Sequence, residues 1–125
     1  MIALTLEQII QLHALAVEET GGSAGLRDLG RLEAAIATQT QNVFGGELYL
    51  SITEKSAALI RGIIADHAFV DGNKRTGMLV GITLLTLNGH KFRAQVGEVE
   101  DFAVEVATSH PDASKIARWL QDRAS

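Results

Sequence analysis

The stretch from Lys74 to Asn88 constrains the fold of this chain more than any other. Read as a helix it is apolar on every side, with Met78, Leu79, Val80, Ile82, Leu84, Leu85 and Leu87 distributed around its circumference. A helix that is hydrophobic all round has to be buried. The uncharged run that makes up most of it, Thr76 to Gly89, falls short of the ~20 apolar residues needed to span a bilayer, so the burial must come from the rest of the chain. Asn88-Gly89 supplies a left-handed stop at its end.

The remaining segments have the character of a helical sheath. Thr5-Leu-Glu-Gln8 has the form of a capping box, followed by Leu6, Ile9, Ile10, His13 and Val17 at helical spacing and by Gly21-Gly22 as a stop. His13 on this face reads as a buried, satisfied histidine and not as a ligand. Asp28 can cap a second helix, Leu29 to about Thr40, with Leu32, Ala35 and Ile36 inward. Thr53 can cap a third, to about Asp66, with Ala57, Ile60, Ile63 and Ile64 as its stripe. After the rod, His90 to Val96 is expected to be extended. Val99, Phe102, Ala103, Val106 and Ala107 give a further helix, Pro111 breaks it, and Asp112 caps the last, with Ala113, Ile116, Ala117 and Leu120 on one face. Trp119 lies off that stripe and is expected to pack the domain. Only Gln39 to Ser51 lacks a period. No repeat, linker or low-complexity tract divides the chain, so residues 1–125 form one all-α domain around a buried central helix.

Immediately before the rod stands His67-Ala-Phe-Val-Asp-Gly-Asn-Lys-Arg-Thr76, an ionisable segment between two apolar ones. Gly72 permits a tight turn, and Asn73 is a good N-cap for a helix beginning near Lys74. Free amides and the positive end of the dipole then favour an anion at that terminus, where Lys74 and Arg75 add charge. Asp71 offers a hard oxygen ligand of the kind Mg²⁺ takes, and His67 is the side chain type that titrates near neutrality. Phosphate handling fits this set. So does a structural turn that caps a buried helix with solvated cations, and the residues alone leave the two level.

Composition removes several other chemistries. Absent cysteines exclude disulfides, thiol catalysis and Cys-based zinc sites. His13, His90 and His110 are scattered without ligand spacing. Gly72 to Gly77 mimics a P-loop, but Met78-Leu79 stands where Lys-[Ser/Thr] would be needed. A net charge of −4 argues against a general nucleic-acid binder. With no basic, apolar leader evident at the start, the expected location is the cytoplasm.

The segment His67-Ala-Phe69-Val-Asp71-Gly72-Asn73-Lys74-Arg75 resembles the signature of the Fic/Doc superfamily, H-x-F-x-[DE]-[GA]-N-[GK]-R. Lys74, where most Fic enzymes have Gly, is similar to the Doc (death-on-curing) branch. Gly25-Leu-Arg27-Asp28 and Gly45-Gly-Glu47-Leu-Tyr49 extend the likeness. The resemblance implies a compact helical Fic/Doc domain with a short flap. It implies a toxin that transfers the γ-phosphoryl group of ATP, with Mg²⁺, to a threonine of a target protein, elongation factor Tu, and so arrests translation. His67 would be the base, and Asp71 would hold Mg²⁺. Asn73, Arg75 and the amides around Gly72 would stabilise the transferred group, with Lys74 on the phosphates. Arg27 and Asp28 would shape the site, or serve only as a solvated arginine and a cap. Leu48-Tyr49-Leu50 would add a strand to the target, or serve only as a connector. No stretch matches the inhibitory pattern [ST]-x-x-x-E-[GN] of some Fic proteins. The resemblance therefore implies restraint by a separate Phd-like antitoxin seated in a groove near the site. The second arginine of many Fic motifs is replaced by Met78. Protein adenylylation and an inactive binding module are the alternatives.

Overall fold

The computed structural model describes all 125 residues. In chain order its elements are α1 (Leu6–Thr20), α2 (Leu29–Ala37), β1 (Asn42–Val43), β2 (Gly46–Glu47), α3 (Ile52–Ala65), α4 (Asn73–Leu87), α5 (Glu98–Ser109) and α6 (Ala113–Gln121). The fold is all-α, with one small antiparallel hairpin.

The apolar rod is α4, and α3 is its main partner. The two helices approach at Gly77 and Gly81: a methyl group at Gly77 would lie 2.5 Å from Ile64 Cγ1, and one at Gly81 2.4 Å from Ile60 Cδ1. Glycine is required there for side chains of α3 to enter the surface of α4. The crossing divides the interior into two clusters. One joins Ile60, Ile64, Met78 and Leu85 to α5 and α6 through Phe102, Val106, Ile116 and Leu120. The other joins Leu59, Ile63, Val80 and Leu84 to Ile9, Leu32, Ala68 and Phe69. Burial of α4 is nearly all-round, as its composition demands. Leu79 and Ile82 are half-buried, and Leu87 in the last turn is exposed.

Most ends form where local chemistry places them. Thr5 and Gln8 complete the capping box of α1, and Gly21 stops it in a left-handed conformation. Asp28 and Asp112 accept from the backbone amides of Arg31 and Lys115. Gly89, at φ 87°, closes α4 with His90 N–H donating to Leu85 O, a Schellman ending. Trp119 packs face to face on Phe102, with ring centroids 4.2 Å apart, and carries Arg123 on its other contacts.

Three expectations are corrected. The cap of α3 is Ser51, whose hydroxyl accepts from Glu54 N–H; Thr53 lies inside the first turn, bonded to Ser51 and Gln121. Helix α2 ends at Ala37, and three turn residues follow. The flap strands are Asn42–Val43 and Gly46–Glu47, not Leu48-Tyr49-Leu50. The reason is the Phe44-Gly45 loop, whose two positive φ angles of 53° and 81° make the tight turn that fixes the hairpin register. Leu48, Tyr49 and Leu50 form the irregular arm leading to α3, with Tyr49 half-buried and the leucines exposed. The segment after the rod is extended where expected: Phe92 forms an antiparallel bridge with Ala124, and Lys91 and Arg93 N–H donate to Ser125 O and Arg123 O.

Candidate functional site

The polar segment forms the turn between α3 and α4, and its first residue is the least expected in conformation. His67 occupies the left-handed region at φ 49°, just past the cap of α3, with Ala68 N–H reaching back to Ile63 O. Glycine is the usual residue at that point of a helix ending. A histidine there costs of order 1–2 kcal/mol, which the surroundings must offset. Arg27 does much of this: its Nε donates to His67 O at 2.7 Å and its second guanidinium nitrogen to Asp66 O at 2.9 Å. Both carbonyls lie just past the end of α3 and have no helical partner. The backbone amides of Arg27 and Asp28 donate to Ala68 O, and Val70 N–H donates to Gly25 O. The Gly25–Asp28 loop is thus paired to the motif, and the imidazole of His67 stands exposed, hydrogen-bonded to no group of the chain.

Phe69 is fully buried and anchors the turn. Asn73 locks it. Its carboxamide accepts from Phe69 N–H and donates to Phe69 O, each at 2.9 Å. The expected N-cap role is corrected here: Asn73 is the first residue of α4, and Gly72, at φ 75°, occupies the cap without a side-chain bond. The asparagine faces inward because Phe69's peptide groups are buried beside it and need partners.

The result is an open helix terminus. The first backbone bond of α4 runs from Thr76 N–H to Gly72 O, and the amides of Asn73, Lys74 and Arg75 have no acceptor within the chain. Gly72 N–H donates to Asp71 Oδ1 at 2.8 Å, and Ser23 N–H approaches Oδ2 at 3.4 Å. Asp71, Lys74 and Arg75 are all exposed. Lys74 has no ion-pair partner, whereas Arg75 pairs with Glu19 of α1. No group of three or more His, Asp or Glu side chains comes together as a closed metal cage. Asp71 is the one carboxylate in the segment from His67 to Arg75.

Two contributors were not legible as site residues. His13 of α1 lies beneath the turn: its Nε2 donates to Asp71 O at 2.8 Å, and its ring stacks on Phe69 at a centroid distance of 3.7 Å. It is the satisfied, buried histidine its position on α1 implied, and its partner is the motif itself. Glu19, two turns later on the same helix, meets Arg75. The structure brings His67, Asp71, Gly72, Asn73, Lys74, Arg75, Arg27 and Asp28 to one end of the molecule. Leu48, Tyr49 and Leu50 belong to the flap arm and make no hydrogen bond to this turn.

The model of the Fic/DOC family matches residues 3–85. A protein of Mycolicibacterium smegmatis named Toxin Doc is 40% identical over 102 residues, covering 80% of this chain and 78% of that one. Protein kinase doc of Escherichia phage P1 is 31% identical over 115 residues, covering 92% of this chain and 90% of that one.

Proposed function

The chain belongs to the Fic/DOC family, and from that premise we propose that it is a toxin that phosphorylates a threonine of a target protein, with ATP as donor. The observation that carries this reading is the terminus of α4. Three partnerless amides, the cations of Lys74 and Arg75, the carboxylate of Asp71 and the free imidazole of His67 meet on one turn whose backbone is held from three sides. Such a site suits phosphoryl transfer, which depends mostly on positioning and electrostatic stabilisation. The kinase name of the phage relative supports the same reaction.

In this proposal the neutral imidazole of His67 takes the proton of the threonine hydroxyl as its oxygen attacks the γ-phosphorus. The bond from that phosphorus to the β,γ-bridging oxygen breaks, and ADP leaves. A positioned base of this kind contributes about 10²–10⁴ in rate. Mg²⁺, held by Asp71 and the nucleotide, would neutralise phosphate charge. Lys74, Arg75 and the free amides bind phosphate oxygens, and Arg75 exchanges Glu19 for that anion. Asn73 acts mainly by fixing the turn, since both polar atoms of its carboxamide are bonded to Phe69. Elongation factor Tu is the proposed target and arrested translation the consequence. A separate antitoxin is the proposed restraint, in keeping with the toxin name of the mycobacterial relative. Incubating the protein with elongation factor Tu and ATP labelled at either phosphate tests the reaction. Transfer of γ-label supports it; transfer of α-label would make the protein an adenylyltransferase; transfer of neither would leave only binding.

A further inference from the structure

We propose that Lys55 is a positioning residue that latches the flap to the helical body through Glu47, so that the flap meets the target protein in a fixed orientation. The inference rests on the phosphotransfer reading above for its consequence, though not for the contact itself. Lys55 lies in the first turns of α3, and its side chain is 3% exposed. A buried ammonium is strongly unfavourable unless it is paired and hydrogen-bonded. Here Nζ donates to Gln39 O at 2.7 Å and lies 3.4 Å from Glu47 Oε2.

Those partners sit at the two roots of the hairpin. Gln39 is itself buried where the chain leaves α2; its carboxamide accepts from Leu4 N–H and donates to Leu4 O and Ile36 O, so it moves little. Glu47 is the last residue of β2. The strands pair with each other, and beyond the local bond from Asn42 to Thr40 O the Lys55–Glu47 pair is the one polar side-chain contact between them and the body of the domain. Leu48 N–H, donating to Gln41 O at 2.7 Å, closes the roots together. One buried cation therefore sets where the hairpin points. An apolar residue at position 55 would leave the Gln39 carbonyl and Glu47 without this partner.

Phe44, fully exposed at the hairpin tip, makes the latch measurable without reference to catalysis. Chymotrypsin cleavage after Phe44, identified by the masses of the fragments, reports how freely the hairpin opens. In Glu47→Ala, cleavage should accelerate about threefold or more, and in Lys55→Met likewise. With elongation factor Tu as substrate, both variants should raise KM for the protein target while leaving kcat and KM for ATP near wild type. Unchanged cleavage in Glu47→Ala, a surface substitution that spares the core, would overturn the latch. Faster cleavage with an unchanged target KM would overturn its part in positioning the target. Should the protein transfer no phosphate at all, the phosphotransfer reading fails and the cleavage comparison still decides the latch.

Discussion

His13 Nε2 donates a 2.8 Å hydrogen bond to the carbonyl oxygen of Asp71, from a ring that is 1% exposed and stacked on Phe69. The first helix thereby holds the residue proposed to bind the nucleotide's cation, although the two lie far apart in sequence. His13→Ala removes that donor and the ring that fills the space under the turn. The expected loss is about 2–4 kcal/mol of stability, from the cavity and the unpartnered carbonyl together, accompanied by slower transfer. Urea unfolding and an initial-rate assay check both. Wild-type values in each would remove His13 from the account.

The α3–α4 crossing gives a second test. Alanine at Gly81 gains up to about 1 kcal/mol in helix propensity, but its methyl would meet Ile60 at 2.4 Å and the Ser56 carbonyl at 3.4 Å. Overpacking of this kind costs about 1–3 kcal/mol, so Gly81→Ala is expected to lower the melting temperature. Ile60→Ala deletes both the Cδ1 and the Cγ1 that the methyl strikes, so its cost should be smaller in the Gly81→Ala background than in the wild type. A Gly81→Ala protein at least as stable as wild type would mean the helices need no such approach.

Acid stability follows from two carboxylates, Glu98 at the start of α5 and Asp112 just past its end. The hydrogen bond from Arg123, and then that from Gln95 N–H, hold Glu98 below the usual carboxylate range. The amide of Lys115 and the Ser114 hydroxyl do the same for Asp112. Both are depressed in the folded state, so their stabilisation is present above the ordinary carboxylate pKa and is lost as pH falls through the lowered folded values. Stability measured by urea unfolding should be level near neutrality and decline below the carboxylate range. Glu98→Gln and Asp112→Asn should each make that decline shallower; an unaltered acid slope would contradict the assignment.

The parts of the fold that were legible are those encoded locally. The capping box at Thr5 and Gln8, the caps at Asp28 and Asp112, the Gly89 ending and the apolar circumference of α4 each depend on residues a turn or less apart. The motif from His67 to Arg75 was legible for the same reason. What could not be read were pairings between distant segments: His13 with Asp71, Arg27 with the carbonyls of Asp66 and His67, Glu19 with Arg75, Lys55 with Glu47. Periodicity tells which face of a helix turns inward, but not which neighbour it meets. Asn73 shows the same limit at short range. Its type suits a cap, and it became a clamp because the buried peptide groups of Phe69 lay within its reach.

The account stands on His67 as the base of a phosphoryl transfer, and the intact mass of elongation factor Tu after incubation with ATP, Mg²⁺ and the protein tests this most directly. Wild-type protein should add the mass of one phosphate. His67→Ala, shown by circular dichroism to be folded, should add nothing measurable; removing a left-handed histidine from an exposed position should disturb the helices little. Addition of AMP by the wild type, or phosphate addition by His67→Ala at the wild-type rate, would contradict the account.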